Sequence, residues 1–597
     1  MVFRGSGLIR ASSSRQLCEC VRNCCASVSQ RHLAKKSSPT TSVESELEKA
    51  ENESAPRLPR GDPFTRWLGE RRKEARRSLL VQVESGASID SVWSGNSPCI
   101  PDIGQFDPSR QLFQLDSNCY LLDLKSERVV ANILTGLGYG DRSEDILPVR
   151  TRMLTLRAKH AVRPSLRNTA NERRSAAEAT STSLTKQLIE TPNLDAQIRK
   201  LHLLTQTTER GRRTRFFLAS VLEEALMGVF PGNKMIPFGS SVSGFGDDQS
   251  DVDLCWSLNF RTQPARSNAL ELTCKSASDL IVGTPLADMA LDLSRVKTQK
   301  ALETLSDVLE RFVPGIERMS RILNARVPII SFHHSIIGAK CDISGDLRLS
   351  IDMTRLLWLT TQAGDNSDER VAQVVSAVRF WAKHVDLQHA GFGRCVSNFM
   401  LTTLVLFFLQ QISLIPTFQQ LSVEGDPLSV TANHLRKCRR SVGTLLAQFF
   451  SFYSEFDFSH KGVCLWTGAP VIKPYPVPLY IRNPLDFNHN IAQNVTGGET
   501  ENFLRCCQSA SAIANSRRFS RTAVLSGPWG LLHFVDPKRL ESDGIDIPSN
   551  RPRPVKTLDS TLGGINSSES VNANEESASD TDSKPGPPRR KIRLPAL

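Results

Sequence analysis

One stretch limits what this chain can fold into more than any other: Pro237-Phe-Gly-Ser-Ser-Val-Ser-Gly-Phe-Gly-Asp-Asp-Gln-Ser-Asp-Val-Asp-Leu-Cys255. It predicts a strand end, a turn rich in glycine and serine, and a second strand carrying Asp251 and Asp253. Alternate side chains of a strand share a face, so both carboxylates point one way while Val252 and Leu254 serve the other. Two hard oxygen ligands on a rigid strand suit a divalent ion such as Mg2+. Gly239-Ser240 offers backbone N–H groups and a hydroxyl to phosphate oxygens. The stretch points to a metal-dependent site for a nucleoside triphosphate.

At 597 residues and 40% hydrophobic content the chain holds several domains with real cores. Lys and Arg number 74 against 62 Asp and Glu, and the net charge of +12 suits a polyanion such as RNA or DNA. Basic tails and a targeting segment contribute to the same excess. Of 14 cysteines, Cys18, Cys20, Cys24 and Cys25 fall in a low-complexity leader and Cys506-Cys507 are adjacent. No zinc-type spacing appears, so reduced and mostly buried thiols are expected. The most apolar run, Phe399 to Leu409, is far shorter than the ~20 residues a spanning helix needs. A buried core helix is expected there and no membrane insertion.

The first 36 residues carry Arg4, Arg10, Arg15, Arg22, Arg31, Lys35 and Lys36 but one acid, Glu19. That is the composition of a mitochondrial transit peptide, with an ordinary basic arm as the alternative. The expected organisation is a transit peptide at 1–40, a linker at 41–70, and a small α+β unit at 71–162. A second linker follows at 163–180 and a disordered tail at 541–597, ending in the basic Arg589-Arg-Lys-Ile-Arg593. In the small unit, Ser78–Val83, Asn118–Leu124 and Met153–Leu156 read as strands around a helix at Ser126–Leu137. The unit is reminiscent of an RNA-recognition module without its base-stacking aromatics, which favours scaffolding or dimerisation over RNA reading. Phe216, Phe217, Val221, Leu222 and Leu226 form the core stripe of a helix at Arg212–Phe230. A polar, helical interval is expected from Asn259 to Arg321, then β-rich runs at Ile322–Phe332 and Ala339–Ile343. Asp342 alternates with Cys341 and Ile343, so a neighbouring strand brings a third carboxylate to Asp251 and Asp253.

Gly-Ser, a spacer, Asp-x-Asp and a distant Asp on another strand resemble the signature of the DNA polymerase β-like nucleotidyltransferase superfamily. Ile322-Leu-Asn-Ala-Arg326, Phe407-Phe-Leu-Gln410, Pro478-Leu-Tyr-Ile-Arg-Asn-Pro484, Asn490-Ile-Ala-Gln-Asn-Val495 and Pro528-Trp-Gly-Leu531 narrow the resemblance. Together with Pro237–Gly246 they are similar to the poly(A) polymerase and terminal uridylyltransferase family, in its mitochondrial branch, from about Arg71 to Phe534. The resemblance implies an α+β fold: a polymerase-β-like palm at 181–345 and a mainly helical central, PAP-associated domain at 346–540. It implies addition of AMP from ATP to the 3′ end of mitochondrial RNA in the matrix, without a template. Asp251, Asp253 and Asp342 would carry the catalysis and hold Mg2+ (or Mn2+). Arg379 and Lys383, four apart on one helix, would reach the triphosphate with Gly239, Ser240 and Ser250. Ser397 would be a polar contact beside Phe399, which would stack on the base or else belong to the core. Asp486 and His489 fall in the nucleotide-recognition motif. A His in that motif favours UTP in uridylyltransferases, so RNA uridylylation is the rival activity, with local backbone capping as its structural alternative. The motif has Leu485 where relatives have Phe, and Gly345-Asp346-Leu347 replaces an Asn near the ribose. The resemblance further implies a homodimer formed through the N-terminal unit. An inactive RNA-binding scaffold would not need all three carboxylates, and a small-molecule nucleotidyltransferase would not need the basic balance or the extra unit.

Overall fold

The computed structural model describes residues 62–83, 112–116, 119–136, 151–156, 184, 186–258, 295–345, 348–362, 368–385, 387, 396–423, 425–515 and 530–535. The transit peptide, the second linker, the C-terminal tail and the Asp346-Leu347 departure lie outside them. Contacts divide the chain into Met1–Ser549 and Asn550–Leu597, and every described residue belongs to the first unit.

The chain enters with helix α1, Pro63–Arg76, where a linker is expected as far as residue 70. Half of its residues are charged, but Phe64, Leu68 and Ala75 recur on one face and are buried. Pro63 sits in the first turn, where a missing N–H costs nothing. Strands β1 (Ser78–Val83), β2 (Leu112–Asp116) and β3 (Cys119–Asp123), helix α2 (Glu127–Gly136) and strand β4 (Met153–Leu156) follow. They form a four-stranded sheet in the order β2-β3-β1-β4, with β1 antiparallel to β3 and parallel to β4.

Next come α3 (Leu194–Thr205), α4 (Glu209–Leu226), β5 (Asn233–Pro237), α5 (Ser240–Ser243), β6 (Val252–Leu258), α6 (Arg295–Phe312), β7 (Ile316–Ile322), β8 (Ile329–His334) and β9 (Ala339–Gly345). The five strands order as β5-β6-β9-β8-β7, antiparallel except for the parallel β6–β9 pair. Strand β7 falls inside the interval expected to be polar and helical, and the run Ile322–Phe332 splits into a hairpin. Pro328 cannot donate to a ladder and Asn324 favours a turn, which ends β7 and starts β8. Leu218, Leu222 and Leu226 of α4 and Leu302, Leu305 and Leu309 of α6 bury Val252, Leu254, Cys341 and Ile343. Burial of those alternate residues leaves Asp253 and Asp342 on the opposite face. The outer flank of α4 carries Phe217 and Val221, onto which Leu80, Cys119 and Leu121 of the small sheet pack.

The rest is mainly helical: α7 (Arg348–Thr361), α8 (Arg370–His384), α9 (Asn398–Gln411), α10 (Phe418–Val423), α11 (Pro427–Lys437) and α12 (Val442–Ser454). A small sheet of β10 (Lys461–Cys464), β11 (Val471–Ile472) and β12 (Ile481–Arg482) precedes α13 (Gly497–Ala514) and a 3-10 turn, Gly530–Phe534. Trp381, Phe407, Phe408, Phe449, Phe450, Tyr453 and Phe503 are fully enclosed in a core that also takes Phe64 and Leu68 of α1 and Ile236 of β5. Ile236 of β5 and Cys255 of β6 thus join the palm sheet to the helical core, while the inner face of β6 and β9 packs in a separate core with α4 and α6. Helix α9 is buried from Met400 to Gln410, and no described helix is long and apolar enough to cross a membrane. The described cysteines are all free thiols, five of the seven buried.

Candidate active site

Strand β6 begins at Val252, so Asp251 closes the preceding turn and Asp253 lies within the strand. In the parallel pairing of β6 with β9, Asp253 stands directly opposite Asp342. Gly239 has φ 64°, and a Cβ there would lie 2.6 Å from Asp253 Oδ2. Only glycine lets the backbone come so close to the carboxylate. From this turn the Ser240 N–H donates to Asp253, while the Gly239 N–H donates to Thr354 Oγ1 of α7 at 2.9 Å. Burial, then the charges of Asp342 and Asp251, pushes the Asp253 carboxyl up to about 7. The trio is thus short of positive charge. Lys340, on the same face of β9, supplies part of it: Nζ lies 2.5 Å from Asp251 Oδ2 and 3.4 Å from Asp342 Oδ2. Ser331 of β8 donates to Asp342 Oδ1 at 2.5 Å. Among the described residues no three acidic, His or Cys side chains are already gathered as a cage. The donors nonetheless suit a hard divalent cation, being oxygen only, charged and partly compensated by a single ammonium.

The loop between Gly244 and Asp251 is held from two sides. Arg215 of α4 donates to Asp247 O at 2.8 Å and Ser250 O at 2.9 Å, and Asp248 accepts from the Thr208 N–H and hydroxyl. The Ser250 hydroxyl donates to Asp247 Oδ1 at 2.8 Å, so it shapes the turn that delivers Asp251. From the other side Arg379 of α8 donates to Phe245 O, and to Thr402 Oγ1 of α9 at 2.6 Å. Burial lowers the Arg379 guanidinium to about 10, and its Nε is enclosed without a partner. Lys383, one turn on, is exposed. Ser397 caps α9 by accepting from the Met400 N–H. Phe399 is 38% exposed, apart from the apolar residues that follow it.

Asp486 and His489 form a second group. Arg326, at the tip of the β7–β8 hairpin, brings Nη2 to 3.7 Å from Asp486 Oδ2. Burial and then the Arg326 charge depress the His489 pKa. Asn483 fixes the tautomer. Its Oδ1 accepts from the Leu485 N–H at 3.0 Å, so its Nδ2 is the atom 3.2 Å from His489 Nδ1. An amide NH2 only donates, so Nδ1 accepts and the proton of neutral His489 sits on Nε2. Buried Asn490 braces this loop by accepting from Ile481 N and Ala492 N and donating to Leu479 O.

Residues 194–362 match the family model described as poly(A) RNA polymerase, mitochondrial-like, central palm domain. Residues 441–475 match that of the Cid1 family poly A polymerases. The mitochondrial poly(A) RNA polymerase of Drosophila melanogaster is 31% identical over 480 residues, 76% of each chain. The chain belongs to the mitochondrial poly(A) RNA polymerase family. The Homo sapiens member is 25% identical over 543 residues, 87% of this chain and 88% of its own. A crystal structure of mtPAP in complex with ATPγS covers 79% of this chain and 100% of that one, with TM-score 0.61 at 25% identity. Structures of mtPAP in complex with UTP and in apo form superpose equally well, at TM-score 0.61.

Within this family fold the sequence pattern missed Lys340, Ser331, Arg215 and Arg326. Lys340 could have been found, since it precedes Asp342 by two and so shares its face of the strand. Ser331 and Arg215 reach the site only through strand pairing and helix packing, which no local pattern encodes.

Proposed function

We propose that this chain is a template-independent poly(A) polymerase that transfers AMP from ATP to the 3′ end of mitochondrial RNA in the matrix. The observation that carries it is Asp253 paired with Asp342 on parallel strands, with Asp251 two residues before it, in a chain of this family. The RNA 3′-hydroxyl attacks the α-phosphate of ATP and pyrophosphate leaves. Asp251, Asp253 and Asp342 would hold divalent metal, Mg2+ (or Mn2+), which when bound neutralises the triphosphate and makes the hydroxyl more acidic. The Gly239-Ser240 turn holds Asp253 through the Ser240 N–H and would receive the triphosphate beside it. Arg379 and Lys383 add positive charge along the triphosphate, with Arg379 fixing the loop that Ser250 shapes. Phe399, displayed by the Ser397 cap, takes the base face, and Asp486 and His489 bound its edge. No side chain acts as a covalent nucleophile.

In the proposed division, 181–345 forms the palm, 346–540 the central domain and 71–162 a scaffold through which two copies pair. The packing of one face of the small sheet on α4 supports scaffolding over base reading. The test is extension of an oligoribonucleotide by the purified protein given each nucleotide alone. AMP addition with ATP favoured is expected. Preferential use of UTP would replace this reading with the uridylyltransferase one, and no metal-dependent extension at all would leave an RNA-binding scaffold.

A further inference from the structure

The loop from α11 to α12 reads Leu435-Arg-Lys-Cys-Arg-Arg-Ser441, four cations in five positions. Arg436, Lys437, Arg439 and Arg440 are all exposed, and none is in an ion pair among the described residues. The backbone beneath them is pinned. Arg370 of α8 donates to Leu435 O at 2.7 Å, Cys438 O at 2.6 Å and Arg440 O at 3.1 Å. Asp368 neutralises Arg370 at 2.6 Å, so the pin adds no charge to the surface.

Helix electrostatics explain only half the cluster. Arg436 and Lys437 end α11, where the helix dipole favours cations. Arg439 and Arg440 precede Ser441, the N-cap of α12, and there the dipole opposes them. The acid at that end, Asp195, is spent on the Gly443 N–H at 2.7 Å. These two arginines cost the fold something and gain nothing inside it, which directs them to an outside anion. No large apolar side chain of α11 or the loop is exposed, so the surface suits a polyanion in water rather than a lipid surface. Helix α11 packs on α7, which follows the strand of Asp342, and α12 packs on α8, which bears Arg379 and Lys383.

We propose that Arg436, Lys437, Arg439 and Arg440 form a docking surface for the phosphate backbone of the RNA being extended, upstream of its 3′ end. The proposal rests on the poly(A) polymerase reading for the identity of the polyanion. With cations and no exposed aromatic, the surface holds RNA regardless of sequence.

The test is binding of a fluorescent single-stranded oligoribonucleotide, in EDTA and without nucleotide, across a salt series. Wild type is compared with Arg439→Ala/Arg440→Ala and with Arg439→Lys/Arg440→Lys. Loss of two phosphate contacts should make the log–log salt slope shallower by about 1.4 and weaken low-salt binding about tenfold. The lysine variant should stay near wild type. The alanine variant should melt no lower than wild type, since it relieves the positive end of α12. Its KM for RNA should rise while that for ATP holds. Unchanged affinity and slope would overturn the proposal, as would a lowered melting temperature with the slope intact, the mark of a structural role. If wild type binds RNA with this salt dependence but adds no AMP, the polymerase reading fails and the docking surface stands.

Discussion

At the scale of single residues, the site depends on close approaches that one atom would upset. Gly239→Ala would place a methyl 2.6 Å from Asp253 Oδ2 at a φ of 64°. We expect kcat to fall about a hundredfold, the usual cost of displacing a reacting group by about 1 Å, with unfolding showing a smaller loss. Phe399→Ala should weaken nucleotide binding by about 1–3 kcal/mol, read as a higher KM for ATP. Its melting temperature should hold, because the ring is 38% exposed and adds little to the core. The aspartates were legible because alternation on a strand needs only two residues of spacing. The place of Lys340 beside Asp342 follows from the same alternation, but its contact with Asp251, 89 residues away, required the pairing of β6 with β9. The exposure of Phe399 likewise required knowing where Ser397 starts the helix.

At the scale of elements, the apolar patterns were readable: α4 occupies the place its apolar stripe indicates, and α9 the place of its unbroken apolar run. Helix α1 was legible only in its second half, where Arg71–Arg77 reads as a basic amphipathic run; its first half was taken for linker. Within that run Arg72 is buried, donating to Glu223 Oε2 at 2.6 Å and Met235 O at 2.8 Å. The edge strand β7 was hidden by its exposed polar residues, which a covered strand would not carry. The C-terminal 3-10 turn is tied to α3 by a buried amide. Gln197 of α3 accepts from the Leu531 N–H at 2.7 Å and donates to Leu188 O at 2.9 Å. Gln197→Ala leaves the buried Leu531 N–H unpaired, while Leu188 O still accepts from the Thr191 N–H at 3.2 Å, and denaturant unfolding should show a loss of about 1–3 kcal/mol. A loss near zero would mean the turn is not held from α3.

At the scale of the whole molecule, the palm sheet has its own core with α4 and α6 and touches the helical core through Ile236 and Cys255, so the two are packed together. His334 of β8 is fully buried, with Nε2 unpartnered, and burial lowers its pKa from 6.5 to about 4. Between those values the unfolded chain takes a proton that the folded one refuses. The His334 contribution is therefore flat above pH 6.5 and falls as pH drops, by about 3 kcal/mol near pH 4. Asp253, raised from 3.8 to about 7, acts in the opposite sense, its folded form losing stability as pH rises through that window. The two offset each other in wild type. The stability difference between wild type and His334→Gln removes the Asp253 contribution, and should narrow by about 3 kcal/mol from pH 7 to pH 4. The most direct test of the central claim is ATP-dependent extension of RNA by Asp253→Ala beside wild type, with circular dichroism on both. Loss of extension with the fold intact is the predicted result. Extension at the wild-type rate would contradict it and remove the β6–β9 carboxylates from the chemistry.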